Sequence, residues 1–191
     1  MLKKILTIIA AATVTGLAGE SVSFRKFEYP GDWKHEGSII KGTSGGDKSV
    51  YLKDKKYFKT LSASLSITPQ KVRGNSWKIA SIQFKDKTGN YWQLALIEYP
   101  DKMLKKHVFD LKKNGKKMQQ KPKEISDYNR SGWEYGKTYK LSLNLGKDRI
   151  EGIVTDEHGN VLKQVSSELV SPGTEYTPVI RLRQMSADFS N

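Results

Sequence analysis

The sequence predicts an all-β protein, a two-sheet antiparallel β-sandwich of the jelly-roll kind. Three observations carry this. Apolar residues alternate with polar ones in run after run, the period of half-buried strands rather than helices. Gly, Asn, Asp and Pro punctuate the runs at short intervals, and no segment has the three-to-four-residue spacing of an amphipathic helix. About ten short strands of this kind close as a sandwich or a barrel.

The clearest strands share one grammar. "TLSASLSI" (60–67) puts Leu61, Ala63, Leu65 and Ile67 on one face and Ser62, Ser64 and Ser66 on the other. "KIASIQF" (78–84) sets Ala80, Ile82 and Phe84 against Ser81 and Gln83, and "YWQLALI" (91–97) sets Trp92, Leu94 and Leu96 against Gln93. "TYKLSLNL" (138–145) sets Tyr139, Leu141, Leu143 and Leu145 against Lys140, Ser142 and Asn144. Further strands are expected at 22–29, 37–41, 49–52, 104–111, 148–154, 161–165 and 178–185.

Two turns repeat a frame. "FKDKTGNYW" (84–92) and "VTDEHGNVL" (154–162) both read apolar, x, Asp, x, x, Gly, Asn, apolar. The Asp accepts from the turn's own backbone and the Gly takes the positive φ that closes a hairpin. The cluster Asp156, Glu157, His158 is therefore expected to be a hairpin rather than a catalytic group. "GTSGG" (42–46) satisfies Gly-x-Ser-x-Gly, but strand-like flanks with no following helix exclude a nucleophile elbow, and a flexible inter-strand loop is expected there.

The first residues bear on location. Residues 1–18 combine Lys3 and Lys4, an apolar run from Ile5 to Val14, and small residues at Gly16 and Ala18, the layout of a secretory signal peptide too short in its apolar part to span a bilayer. Residues 19–191 are expected to form one periplasmic or secreted domain, built without disulfides because the chain has no cysteine. Loss of Lys3 and Lys4 takes the formal charge from +13 to +11. Nine lysines fall in residues 101–123, read as a solvated hairpin or as a patch for an acidic polysaccharide. Export argues against nucleic acid as the partner.

Candidates for chemistry are sparse. His35, His107 and His158 are isolated, so no transition-metal site and no cofactor is expected, although Asp32, Asp47, Asp127 and Asp156 leave structural calcium open. Glu98, Asp110 and His107 are the groups a hydrolase or lyase would use, provided two of them converge. The favoured reading is ligand binding: an outward row containing Ser62, Ser64, Ser66, Ser81, Gln83, Gln93, Ser142 and Asn144, with Trp77 or Trp133 stacking on a sugar and Arg181 or Arg183 meeting an acidic group.

The order "WKHEGSIIKG", "ASIQFKDKTGNYWQLAL", "WEYGKTYKLSLNLGKDRIEGIVTDEHGNVL" and "TPVIRLRQMSADFSN" resembles the concanavalin A-like lectin/glucanase superfamily in its laminin-G-like form, and bacterial domains resembling 3-keto-disaccharide hydrolases. The resemblance implies a jelly-roll sandwich that binds carbohydrate. The Glu-x-Asp-x-x-Glu motif of laminarinase-type glucanases is absent, since "EISD" (124–127) does not supply it, and the paired-metal Asp/Asn set of legume lectins is not present. The expectation is an exported, non-catalytic carbohydrate-binding or envelope-associated module, with a glycoside hydrolase or lyase, or an accessory domain of a larger protein, as alternatives.

Overall fold

The computed structural model describes residues 19–100, 107–114, 123–124 and 132–191. The expected signal peptide and most of the lysine-rich segment lie outside the described residues. A 3₁₀ turn at Phe24–Lys26 accompanies twelve strands: β1 (Glu20–Val22), β2 (Lys34–Glu36), β3 (Ile39–Tyr51), β4 (Leu61–Gln70), β5 (Lys78–Asp86), β6 (Tyr91–Glu98), β7 (His107–Asn114), β8 (Lys123–Glu124), β9 (Tyr139–Leu145), β10 (Arg149–Asp156), β11 (Val161–Glu168) and β12 (Tyr176–Ser190).

The hydrogen-bonded path runs β7-β6-β5-β12-β4-β9-β10-β11-β8, with β3 along the other edge of β12. Two strands belong to both layers. The first half of β12 pairs with β5 through Arg183 and the second half pairs with β4 from Ser186, while β3 follows β12 along both halves. Sheet I is thus β7-β6-β5 with the first half of β12 and the end of β3. Sheet II is the start of β3, the end of β12, then β4-β9-β10-β11-β8. Among the described residues all strand pairings are antiparallel except the short β1–β4 contact, which is parallel.

The turn from one layer to the other falls at Gln184, which has φ +49°, opposite Gly45 and Gly46. The Gln184 amide donates to the Gly45 carbonyl, and the Ser44 hydroxyl to the Gly46 carbonyl at 2.9 Å. This corrects the loop expected at residues 42–46: the segment lies inside β3. Gly45 and Gly46 lie at this bend in open space, and Gly42 leaves room for the Trp33 ring, 2.9 Å from where a Cβ would stand.

The layers meet over an apolar core. Leu61, Ala63, Leu65 and Ile67 of sheet II and Ala80, Ile82, Phe84, Trp92, Leu94 and Leu96 of sheet I all belong to it. A Cβ added at Gly152 of β10 would lie 3.1 Å from Leu94 and 3.2 Å from Leu111, so β10 passes close over β6 and β7. Gly152→Val is expected to overpack this contact and cost about 1–3 kcal/mol, read from urea unfolding.

Both repeated turns form as expected. Asp86 Oδ1 accepts from the amides of Thr88 and Asn90, each at 2.9 Å, with Gly89 at φ +90°. Asp156 Oδ1 accepts from His158 at 2.9 Å and Asn160 at 2.8 Å, with Gly159 at φ +83°. The His158 ring is exposed and lies 3.7 Å from the adjacent Glu157 carboxylate. Asp156→Ala is expected to lower the melting temperature, whereas His158→Ala leaves it unchanged.

Candidate functional site

Strand alternation says which residues point outward, and pairing decides which face they share. Ser62, Ser64 and Ser66 of β4 and Ser142 and Asn144 of β9 lie on the outer face of sheet II. Ser81, Gln83 and Gln93 lie on the outer face of sheet I, with Arg181 and Arg183. The single row expected from the sequence is therefore two rows on opposite sides of the sandwich. The physical reason is that β4 and β5 both border β12 but in different layers.

The two faces differ in hydrogen bonding. On sheet II the groups satisfy one another: Ser64 with Ser142 at 2.8 Å, Thr68 with Thr138 at 2.8 Å, and Ser62 donating to Asn144 Oδ1. On sheet I a connected chain leaves groups over. Arg181 Nε donates to Asp47 Oδ1 at 2.8 Å and its Nη2 donates to Oδ2. Arg181 Nη1 donates to Gln93 Oε1 at 3.0 Å, and Gln83 Nε2 donates to the same oxygen at 2.8 Å. Two donors converging on Oε1 fix the Gln93 amide, and its Nε2 then has no partner.

Ser81 Oγ and Thr177 Oγ1 also lack partners, and both side chains belong to the same face. Ser81 and Gln93 are fully buried although they point away from the sandwich core. An unmade hydrogen bond in such a place costs about 1–3 kcal/mol. Since Ser81 and Gln93 have no exposed surface, the atoms a ligand reaches on this face are those of the half-buried Trp77, Tyr99, Arg181 and Arg183.

An apolar pad adjoins them. Ile79, Ala95 and Ile97 form a second buried cluster, against which Trp77, Tyr99 and Val108 pack. Trp77 meets Tyr99 edge-on at 4.6 Å. β5 and β6 are consequently buried on both faces, where the sequence suggested one wet face. Charge on this surface leans positive, with Arg181, Arg183, Lys85 and Lys112 against Asp47 and Asp110. The Arg181 guanidinium holds the Asp47 carboxyl below its usual range against the opposing effect of burial.

Trp133 is not on either outer face. It is 1% exposed, its ring stacks on His107 at 3.9 Å, and its Nε1 donates to the Ile97 carbonyl at 3.2 Å. This corrects its reading as a stacking platform: the ring anchors residues 133–135 to the end of sheet I. Beside it, Glu98 and His107 converge at 3.1 Å, as a catalytic reading requires, while Asp110 lies on the opposite face of its strand.

The Glu98 carboxylate is fully engaged. Lys78 contacts one oxygen, Tyr135 donates to the other, and His107 Nε2 lies 3.1 Å from that second oxygen. His107 Nδ1 is bound to the Trp133 carbonyl at 2.7 Å. Burial pushes the Glu98 carboxyl up, but Lys78, Tyr135 and His107 together bring it below the usual glutamate range. A visible signal for this network exists: Lys78 and Glu98 sit on the apolar register of β5 and β6, so a charge pair in the core was legible.

Among the described residues no group of three or more His, Cys, Asp or Glu is arranged to hold a metal. Asp32 is bound by Lys48 at 2.8 and 3.0 Å, Asp47 by Arg181, and Asp156 by its own turn. Asp127 lies outside the described residues. No helix among them is long and apolar enough to cross a membrane.

No protein-family model matches the chain, and no curated protein matches it. Solved structures do. The carbohydrate binding module CBM66 from Bacillus subtilis has a TM-score of 0.60 at 15% identity, over 87% of this chain and 92% of that one. A Lotus tetragonolobus seed lectin has 0.55 at 10% identity, over 88% and 91%. The GH43 protein BlXynB of Bacillus licheniformis has 0.56 at 15% identity, over 89% of this chain but 36% of that one. The fold is the concanavalin A-like jelly-roll sandwich.

Proposed function

We propose that the protein is an exported, non-catalytic carbohydrate-binding β-sandwich that receives a glycan on the outer face of sheet I. One observation carries the reading: the half-buried Arg181 and Arg183 share the outer face of sheet I with an aromatic and aliphatic pad at Trp77 and Tyr99. Sugars present just this pair of surfaces, an apolar ring face for Trp77 and Tyr99 and hydroxyls or carboxylates for the two arginines. The structural neighbours, a carbohydrate binding module and a seed lectin, support it at the level of fold.

The excess of cations over carboxylates on this face favours an acidic polysaccharide. The Arg183 side chain makes no hydrogen bond or close ion pair among the described residues, since the carboxylate opposite it, Asp47, is bound by Arg181, and it can turn to a uronate or sulfate. The leader-like residues 1–18 support a periplasmic or secreted location. The engaged state of Glu98 supports the absence of catalysis, because none of its oxygens is left to work as an acid or base.

A glycan array probed with residues 19–191 at low and high salt tests this. Binding to acidic glycans that weakens with salt supports the reading. Absence of binding to any glycan, or release of product from a polysaccharide, contradicts it.

A further inference from the structure

A separate pocket of about 590 Å³ opens where the 3₁₀ turn and the β2–β3 hairpin meet the end of β12. It shares no residue with the outer face of sheet I. Its floor is the inner face of sheet II at Leu65 and Phe189, both 1% exposed. Its wall is aromatic: Phe24 stacks on Phe27 at 5.2 Å with 26° between planes, and Tyr29 follows at 6.4 Å. His35 meets Tyr29 edge-on at 5.2 Å.

The rim has a different character. Arg25 and Lys53 line the pocket and are exposed, and among the described residues neither side chain has an ion pair or hydrogen bond. Among the described residues no Asp or Glu side chain lines it. The volume falls within the roughly 300–1,000 Å³ of small-molecule sites, which combine an apolar body with a few placed polar groups. Two unpaired cations at the mouth of an aromatic cavity select for negative charge joined to a flat apolar body, since the charge stays at the wet rim while the ring enters.

We propose that this pocket binds a small planar organic anion, its ring against Phe24, Phe27 and Tyr29 and its carboxylate or sulfonate between Arg25 and Lys53. The proposal is independent of the glycan reading, because the two surfaces have no residue in common.

Calorimetric titration of the protein with 2-naphthalenesulfonate, and in parallel with uncharged 2-naphthol, tests it. The expected result is saturable binding of one sulfonate, weakened at least tenfold in 2-naphthol, weakened at least tenfold by Arg25→Ala with Lys53→Ala, and weakened by salt. Both substitutions are at exposed positions, and circular dichroism confirms that the variant is folded. Ser38→Trp keeps both charges and fills the mouth, so it is expected to abolish binding. Equal affinity for the naphthol, wild-type affinity in the double variant or in Ser38→Trp, or no saturable binding overturns the proposal.

Discussion

Lys78→Met is expected to destabilise the fold by about 3–5 kcal/mol in urea unfolding, because it leaves the Glu98 carboxylate buried without its ammonium partner. Both residues are 3% exposed, so water cannot replace the lost ion pair. Adding Glu98→Gln is expected to recover much of the loss: the amide carries no charge and still accepts from Tyr135. The two substitutions are therefore strongly non-additive.

The same network sets a pH dependence. The folded Glu98 carboxyl lies below its unfolded value, so the stability it contributes is complete above that unfolded value, about 4.3. It is lost as pH falls through the lower, folded one. The acid limb of unfolding is expected to flatten in Lys78→Met/Glu98→Gln, measured against wild type between pH 6 and pH 2.

Arg181→Ala is expected to weaken glycan binding about ten- to hundredfold, the value of a charge-assisted hydrogen bond of about 1.5–3 kcal/mol. Its effect goes beyond its own contact. Arg181 joins Asp47 to Gln93 Oε1, and without it the Gln93 amide is held by Gln83 alone and turns more freely. The fold is expected to survive, because the Asp47 side chain released by the change is 46% exposed and solvates. Stability and affinity are thus separable at this residue, while at Lys78 they are not.

Strand positions were legible because alternation is a local property. Leu61 to Ile67 and Tyr139 to Leu145 read as strands from their own residues, and the structure pairs them residue for residue. The repeated Asp-x-x-Gly-Asn turns were legible for the same reason: every hydrogen bond they need lies within five residues. Layer membership is not local. Nothing within "TLSASLSI" or "KIASIQF" states that one borders the end of β12 and the other its beginning, so Ser64 and Ser81 looked like neighbours.

Two further differences have the same origin. "GTSGG" has the composition of a loop, yet β12 supplies partners for β3 along both halves, and the glycines then serve as the bend of a strand. Trp133 looked available for stacking because its burial comes from His107, 26 residues away, and from the Ile97 carbonyl, 36 residues away. The site's amide chain was partly visible, in that Gln83, Gln93, Ser81, Arg181 and Trp77 were each candidates. Asp47, which orients Arg181, was read instead as a possible calcium ligand.

The proposed function requires that the outer face of sheet I, and not that of sheet II, receives the glycan. Calorimetric titration of the strongest array glycan into Gln93→Leu and into Ser64→Leu tests it most directly. We expect at least tenfold weaker binding for Gln93→Leu, which at nearly constant volume removes the amide oxygen that holds Arg181, and wild-type affinity for Ser64→Leu. Unchanged affinity in Gln93→Leu, or loss confined to Ser64→Leu, would contradict it.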